Sequence, residues 1–428
     1  MVNRLMLPFR QFVILSSRNI KILTRDRFSL ILMLAAAPLI SLIDFLLAAL
    51  LGPNTFDFYD GNVFSVMIML FLMPVNAVMI GALATMREIV KEQDIYKRER
   101  LVNLKILPYV MSKIWVAVLL ALYQSAAYVI IRYMAFRMPG GAIEFILIYI
   151  TMALATMAGM MLGLFASALA PNPNSAPLVV ILLLLPQIVL GGALIPLPTF
   201  VSAPAPTRWA YEALMAITGV GSDVARDPCW DLPKSQRDAL SLEDKERLGC
   251  NCMGLAMLNP DSCNFPSLGQ FYNPLIDQPP PTEPPPLRPE PPEPVLPPRP
   301  EEPEDQSDQI AMADYFAALQ EWEAQVNEIQ DAYRADLDLY RAEAEVFQAA
   351  MVSYQTELAD WQVARAAAVQ PAETLVNQIH RDMGWTFVDK RDVVAYSTKI
   401  ISTWVAQMVI ITLLFVAILI IQKRKDVI

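Results

Sequence analysis

Six long apolar runs, at about 28–51, 63–86, 114–136, 145–168, 176–195 and 400–421, limit what this chain can fold into more than any other feature. A hydrocarbon core of about 30 Å takes roughly 20 apolar residues per helix. Inside it, a backbone satisfies its polar groups by closing its own helical hydrogen bonds. The runs therefore predict an all-α polytopic membrane protein with six transmembrane helices. Composition agrees, because 55% of the 428 residues are hydrophobic and 18% are charged, too apolar a balance for a soluble chain of this size.

Lys and Arg orient the spans, since short cytoplasmic segments retain positive charge. Residues 1–27 carry Arg4, Arg10, Arg18, Lys21, Arg25 and Arg27, the 87–113 stretch carries seven basic residues, and the tail ends in Lys423, Arg424 and Lys425. The segment "GPNTFDFYDGN" has none, and the loop after the third span has only Arg137, with Arg132 one turn inside. The expected placement is a cytoplasmic (inner) membrane with both termini cytoplasmic and residues of about 196–395 outside. No cleavable signal peptide is expected, because the charged first 27 residues lack an apolar core and a small-residue cleavage site. The formal charge of −10 is local: residues 277–345 hold 18 Asp/Glu against four Lys/Arg, a balance of −14, and the rest is +4. Basic residues hug the membrane boundaries and form no stripe with aromatics, so no nucleic-acid partner is expected.

The chain divides into an amphipathic interfacial helix (1–27), spans one to five (28–220) with a charged loop at 87–113, a cysteine-containing outside segment (221–275), a proline-rich rod (276–306), a long heptad helix (308–370), a return segment (371–395), and the sixth span with its tail (396–428). In the fourth span, Ala155, Gly159 and Gly163 recur every four residues, a spacing that lets a neighbouring helix come close. After the fifth, "GGALIPLPTFVSAPAPTRWAYEALM" reads as a re-entrant turn followed by an interfacial helix holding Trp209 and Tyr211. Asp44 lies within the first span, where an acidic residue is costly; a buried hydrogen bond and a functional group are both open.

Cys229, Cys250, Cys252 and Cys263 are the four cysteines. An even number in an oxidising compartment implies two disulfides. Direct Cys250–Cys252 pairing would be strained, so Cys229 is expected to take one of these and Cys263 the other. A four-cysteine zinc site is the competing reading, although two C-x-x-C knuckles are missing.

Residues 279–303 contain 14 prolines, with Pro291, Pro294, Pro297, Pro300 and Pro303 at every third position. Polyproline II has three residues per turn, so these line one edge of a rod; composition alone also allows a disordered linker. From Leu319, apolar residues follow at steps of three and four through Trp322, Val326, Ile329, Tyr333, Leu337, Tyr340, Ala344, Phe347, Met351, Tyr354, Leu358 and Trp361, a heptad seam with one stutter. The rod would reach about 78 Å at 3.1 Å per residue, and 55 helical residues about 83 Å at 1.5 Å. The matched lengths predict a rod and a returning helix packed together as a stalk, with Tyr333, Tyr340, Phe347 and Tyr354 against the proline edge. A coiled coil between two protomers is compatible with this.

No G-x-x-x-x-G-K-[ST] phosphate loop is present, and the lone His380 has neither a G-x-S-x-G nor an H-E-x-x-H motif beside it. Catalytic residues, metal ligands and a cofactor within these residues are therefore not expected.

The loop "REIVKEQDIYKRERLVNLKILPYVMSK" resembles the first cytoplasmic loop of the G-type (white-family) ABC-2 permeases, where a Glu and a Y/F-x-R-E-R pattern precede a Tyr and a Lys at the next span. "RNIKILTRDRFSLILMLAAAP", "GGALIP" and "RWAYEAL" fall in the family's order, and the resemblance covers roughly 1–220 and 395–428. It implies six spans of ABC-2 type and a coupling helix that meets a cytosolic ABC ATPase carrying ATP and Mg²⁺. The coupling residues would be Arg87, Glu88, Glu92, Tyr96, Arg98, Glu99 and Arg100. It also implies a homodimer of permease chains with a lipid or amphipathic cargo passing between spans two and five. That path would be walled by Met67, Phe71, Met73, Asn76, Met79, Leu183, Gln187, Leu190 and Leu194. The 225–395 region has no counterpart in the family's shorter outside loop. It keeps two alternatives open: a mechanotransmission protein whose stalk acts on an envelope partner, and a membrane-anchored structural or adhesive spacer.

Overall fold

A computed structural model describes residues 2–193, 197–303, 309–382 and 387–425, and all regular structure among them is helical. Helix α1 (Val2–Arg25) is separated by Asp26 alone from α2 (Arg27–Leu51); α3 (Val63–Thr85), α4 (Gln93–Leu101), α5 (Ile106–Ala135), α6 (Ala142–Leu169) and α7 (Ala176–Leu190) follow. Among the described residues five helices are long and apolar enough to cross a bilayer: those in α2, α3, α5, α6 and the late helix α14 (Val393–Lys425). The expected span at 176–195 is shorter than predicted. Helix α7 has 15 residues, about 22 Å at 1.5 Å per residue, because Gly191 and Gly192 end it, the latter at φ +84°. Residues 194–196 lie outside the described set.

The chain then makes the short α8 (Thr199–Ser202) and α9 (Pro206–Thr218), which Gly219 caps at φ +74°. The interfacial helix expected to hold Trp209 and Tyr211 is α9, which is buried over Ala210, Tyr211, Ala213, Leu214 and Ile217 and packs on α14, α6 and α3. Arg208 and Lys399 both pair with Glu212, at 2.9 and 2.7 Å, so the "RWAYEAL" motif ties α9 to α14.

The centre of the bundle is the α3–α6 contact, and glycine makes it possible. A Cβ on Gly159 would meet the Val78 backbone, and one on Gly81 would meet the Thr156 carbonyl. Thr85 closes the same contact by donating its hydroxyl to the Met160 carbonyl at 2.8 Å. Between α2 and α5, Asp44 and Arg132 form a buried ion pair at 2.7 Å, with the guanidinium 4.3 Å from the Phe136 ring. Outer faces stay apolar, as Leu39, Leu46, Leu182, Val409 and Leu413 illustrate, which suits a hydrocarbon surround.

Beyond α9 come α10 (Ser222–Arg226), α11 (Lys234–Arg237) and α12 (Leu242–Arg247). Cys229 pairs with Cys250 and Cys252 with Cys263. Asp227 accepts from the Cys229 and Cys252 amides at 2.8 and 2.5 Å, and burial holds its carboxyl above the usual carboxylate range. The last turns of α13 (Gln309–Asn377) pack here through Val369, Ala372 and Val376. Lys245 meets Glu373 at 2.7 Å. His380 stacks on Phe387 and meets the edge of Trp230, a packing role.

Residues 273–368 form a compact unit of their own. Within it the proline stretch and α13 run antiparallel. Trp361 Nε1 donates to the Gln278 carbonyl and Trp322 Nε1 to the Pro297 carbonyl, both at 2.9 Å, and Arg288 pairs with Asp336 and Glu343 between them. Gln278 and Pro297 are 19 residues apart while Trp322 and Trp361 are 39 apart. That near-twofold ratio is the ratio of the two rises, about 3.1 Å for polyproline II and about 1.5 Å for the helix. All thirteen seam residues from Leu319 to Trp361, and Pro291, Pro294, Pro297, Pro300 and Pro303, are at least partly buried.

Candidate functional site

The connection from α3 to α5 is built to be held on one side and open on the other. Helix α3 ends at Thr85, and the chain is caught where it turns, because Ser167 Oγ of α6 accepts from the amides of both Ile89 and Val90 at 3.0 Å. Ser167 continues the Ala155, Gly159, Gly163 stripe by one further step of four, so the face that admits α3 also caps its exit. A single turn then leads into α4.

Next, Glu92 turns inward to Lys113 of α5 at 2.7 Å, with Glu88 at 3.8 Å from the same ammonium. Lys113 also donates to Asn19 Oδ1 of α1 at 3.2 Å. Both partners are buried, at 7% exposure for Glu92 and 4% for Lys113. Tyr96 packs on Tyr109 with ring centroids 4.6 Å apart, and Glu99 pairs with Arg18 of α1. Gln11 reaches both ends of the final turn, donating to the Asn103 carbonyl and accepting from the Lys105 amide. Arg100 donates to the Leu104 carbonyl. Helices α1, α5 and α6 thus grip the connection.

Of the residues expected to couple to a partner, Glu92 and Tyr96 are buried, Glu88, Glu99 and Arg100 are half-buried and engaged within the chain, and Arg87 and Arg98 face outward. The outward surface also holds Leu101 and Val102 at 89% and 83% exposure. Sequence reasoning gave these two apolar residues no role, although two exposed aliphatics in a charged loop were a visible signal. Arg18 and Asn19 carried no such signal, because their partners lie some 80 to 94 residues away.

The expected cargo-path residues are distributed differently. Met67, Phe71 and Met73 are buried; Phe71 meets the edge of Tyr211 with ring centroids 5.6 Å apart. Gln187 is buried and its backbone carbonyl accepts from Thr207 at 2.8 Å. Asn76, Met79, Leu183 and Leu190 are half-buried, and Asn76 donates to Tyr128 OH at 3.3 Å. Leu194 is outside the described residues. Phe71, Gln187 and Tyr211 knit α3, α7 and α9 together within one chain, while α7 turns Leu178, Ile181, Leu182 and Leu185 outward.

Asp227, Cys229 and Cys250 lie close enough to share a metal ion. Their sulfurs are joined in a disulfide and offer no thiolate, so the disulfide reading replaces zinc.

Helix order, the gripped loop and the outward patch all fall within the first half of the chain. Residues 10–218 match the ABC-2 type transporter family. Over 231 residues, 49% of the chain, the sequence is also 27% identical to an ABC transporter ATP-binding/permease protein of Mycobacterium tuberculosis. The chain spans 25% of that protein's length. The matching segment begins within α1 and ends with α9, so it contains the gripped connection whole. Together with the apolar helices, this likeness supports a multi-pass membrane protein.

Proposed function

We propose that the chain is the membrane-spanning permease of a G-type ABC exporter, acting as a dimer on a lipid or amphipathic cargo. ATP and Mg²⁺ are handled by a nucleotide-binding module outside these residues. The observation that carries this reading is the two-sided α3–α5 connection. Its inner side is fixed by Glu92–Lys113, Arg18–Glu99 and the Ser167 cap, and its outer side presents Arg87, Arg98, Leu101 and Val102. A push on such a surface moves three helices as rigid bodies. Cargo passes between α3 and α7 of two protomers, along adaptable methionines, and both termini are cytoplasmic by their basic residues.

The test is co-purification of the chain with a nucleotide-binding partner, followed by ATPase assays in lipid. Arg98→Ala should lower cargo-stimulated ATPase without affecting thermal stability, because Arg98 is exposed; Glu92→Ala should lower both. Full coupling in both variants, or no nucleotide-binding partner in any state, would sink the proposal.

A further inference from the structure

Helix α13 has a second face that the proline stretch leaves bare. Beside the seam that packs on the rod, Ala349, Val352, Thr356, Ala359, Val363 and Ala366 follow at alternating steps of three and four, and all six are exposed. That spacing fills the a and d positions of a heptad repeat. Val352 and Val363 are 64% and 68% exposed, although a β-branched side chain is a poor choice for the bare surface of a helix. Thr356 donates its hydroxyl to the Val352 carbonyl at 2.9 Å, so its donor is satisfied within the helix.

Charge tells what covers this face. Residues 321–345 hold eight Asp/Glu and two Arg, whereas 346–364 hold Glu357 and Asp360 alone. A strongly charged partner of either sign finds little to pair with here, while a second copy of the chain meets no field of like charge. The flanks are also self-complementary. Gln348, Gln355 and Gln362 recur every seventh residue on one side, with Ser353, Asp360 and Ala367 on the other. In a parallel, in-register pair these two rows face each other across the seam. Gln355 then meets Asp360 of the second copy, an amide donor against the one carboxylate of the flanks, and Gln348 meets Ser353. An antiparallel pair would lose both contacts. Glu345, at the next seam position upstream, would meet its own twin and ends the face there.

We propose that α13 pairs with α13 of a second copy through this face, as a parallel coiled coil over residues 349–366. The proposal rests on the dimeric reading above for its second copy and adds the contact between the two 273–368 units. About five helical turns of mostly small side chains bury less than a stable free-standing dimer needs. Two copies held in one bilayer supply the effective concentration that sustains it.

The full chain is reconstituted in lipid nanodiscs, where mass photometry counts copies per disc, and single cysteines are added; the four native ones are paired with one another. Ala359→Cys should form a disulfide between copies, because twins at a d position come within its reach. Glu357→Cys, exposed at the same height but off the face, should do so at least about tenfold more slowly. In the Ala359→Cys background, Gln355→Glu should slow the reaction about fivefold, Gln355→Lys should speed it, and Gln355→Glu with Asp360→Lys should restore it. These positions are exposed, and circular dichroism confirms that each variant keeps its helix. Two copies per disc with equal rates at 357 and 359, or rates blind to the sign of the charge at 355, overturn the pairing and leave the dimeric reading standing. One copy per disc in every preparation removes both.

Discussion

Asp44 and Arg132 each look misplaced in a membrane helix, and each accounts for the other. Both are buried, their single 2.7 Å contact joins α2 to α5, and Asp44 Oδ2 and Arg132 Nη2 have no further partner among the described residues. Removing one partner strands a charge, so Asp44→Ala should destabilise by about 3–5 kcal/mol. The double variant Asp44→Leu with Arg132→Met should recover most of that, which urea unfolding in detergent measures. A single variant as stable as the parent would show that the pair is dispensable. Ser167 makes a similar case with neutral groups. Ser167→Ala orphans the Ile89 and Val90 amides and should cost about 1–3 kcal/mol, seen as a lower melting temperature and faster exchange of those two amides.

At the scale of elements, the α3–α6 contact depends on the absence of side chains. Gly159→Leu would drive a branched side chain into the Val78 backbone. Overpacking of this kind costs about 1–3 kcal/mol or more, and the lowered thermal stability in detergent should exceed that of the same change at Gly141, where a Cβ would meet only Glu144 Oε2 at 3.7 Å. In the 273–368 unit the two rises set a rule of register. Excising one rod turn of three residues should break the Trp322 and Arg288 pairings, whereas excising it together with one helical heptad should keep them, since about 9 Å of rod then matches about 10 Å of helix. Limited proteolysis separates the two outcomes. On α12, Ser241 holds the Asp244 carboxyl below its usual range by side-chain and backbone hydrogen bonds, helped by Arg247. Its contribution is therefore complete above the unfolded value of about 3.9 and is lost as pH falls through the lower folded value. Amide protection in α12, corrected for intrinsic exchange, should drop in strong acid, and Ser241→Ala should move that loss to higher pH.

For the whole molecule, the question is whether the 273–368 unit serves transport. Cutting at 278 and 370 would remove buried Val369, so excision of 278–367 is the cleaner experiment. Under the exporter reading, the shortened chain keeps cargo-stimulated ATPase with its partner to within about twofold, a difference of about 0.4 kcal/mol. ATPase retained with loss of an effect on an envelope component would point to mechanical transmission, and loss of ATPase would count against an independent transport domain.

Spans, seam and proline edge were legible because each is a one-dimensional pattern: about 20 apolar residues, steps of three and four, and steps of three, which backbone geometry alone converts into a buried face. The fifth apolar run outlasts its helix, because apolarity continues through Gly191 and Gly192, and only the folded backbone shows where helix stops. Likewise "RWAYEAL" reads as an interfacial helix, and how deeply the bundle buries it depends on Lys399, which pairs with Glu212 from a position 187 residues away. The charged loop announced itself by composition. Which of its residues are gripped and which are offered outward was decided by Arg18, Lys113 and Ser167, contributed by three other helices, and no local pattern encodes a contact that only packing brings together.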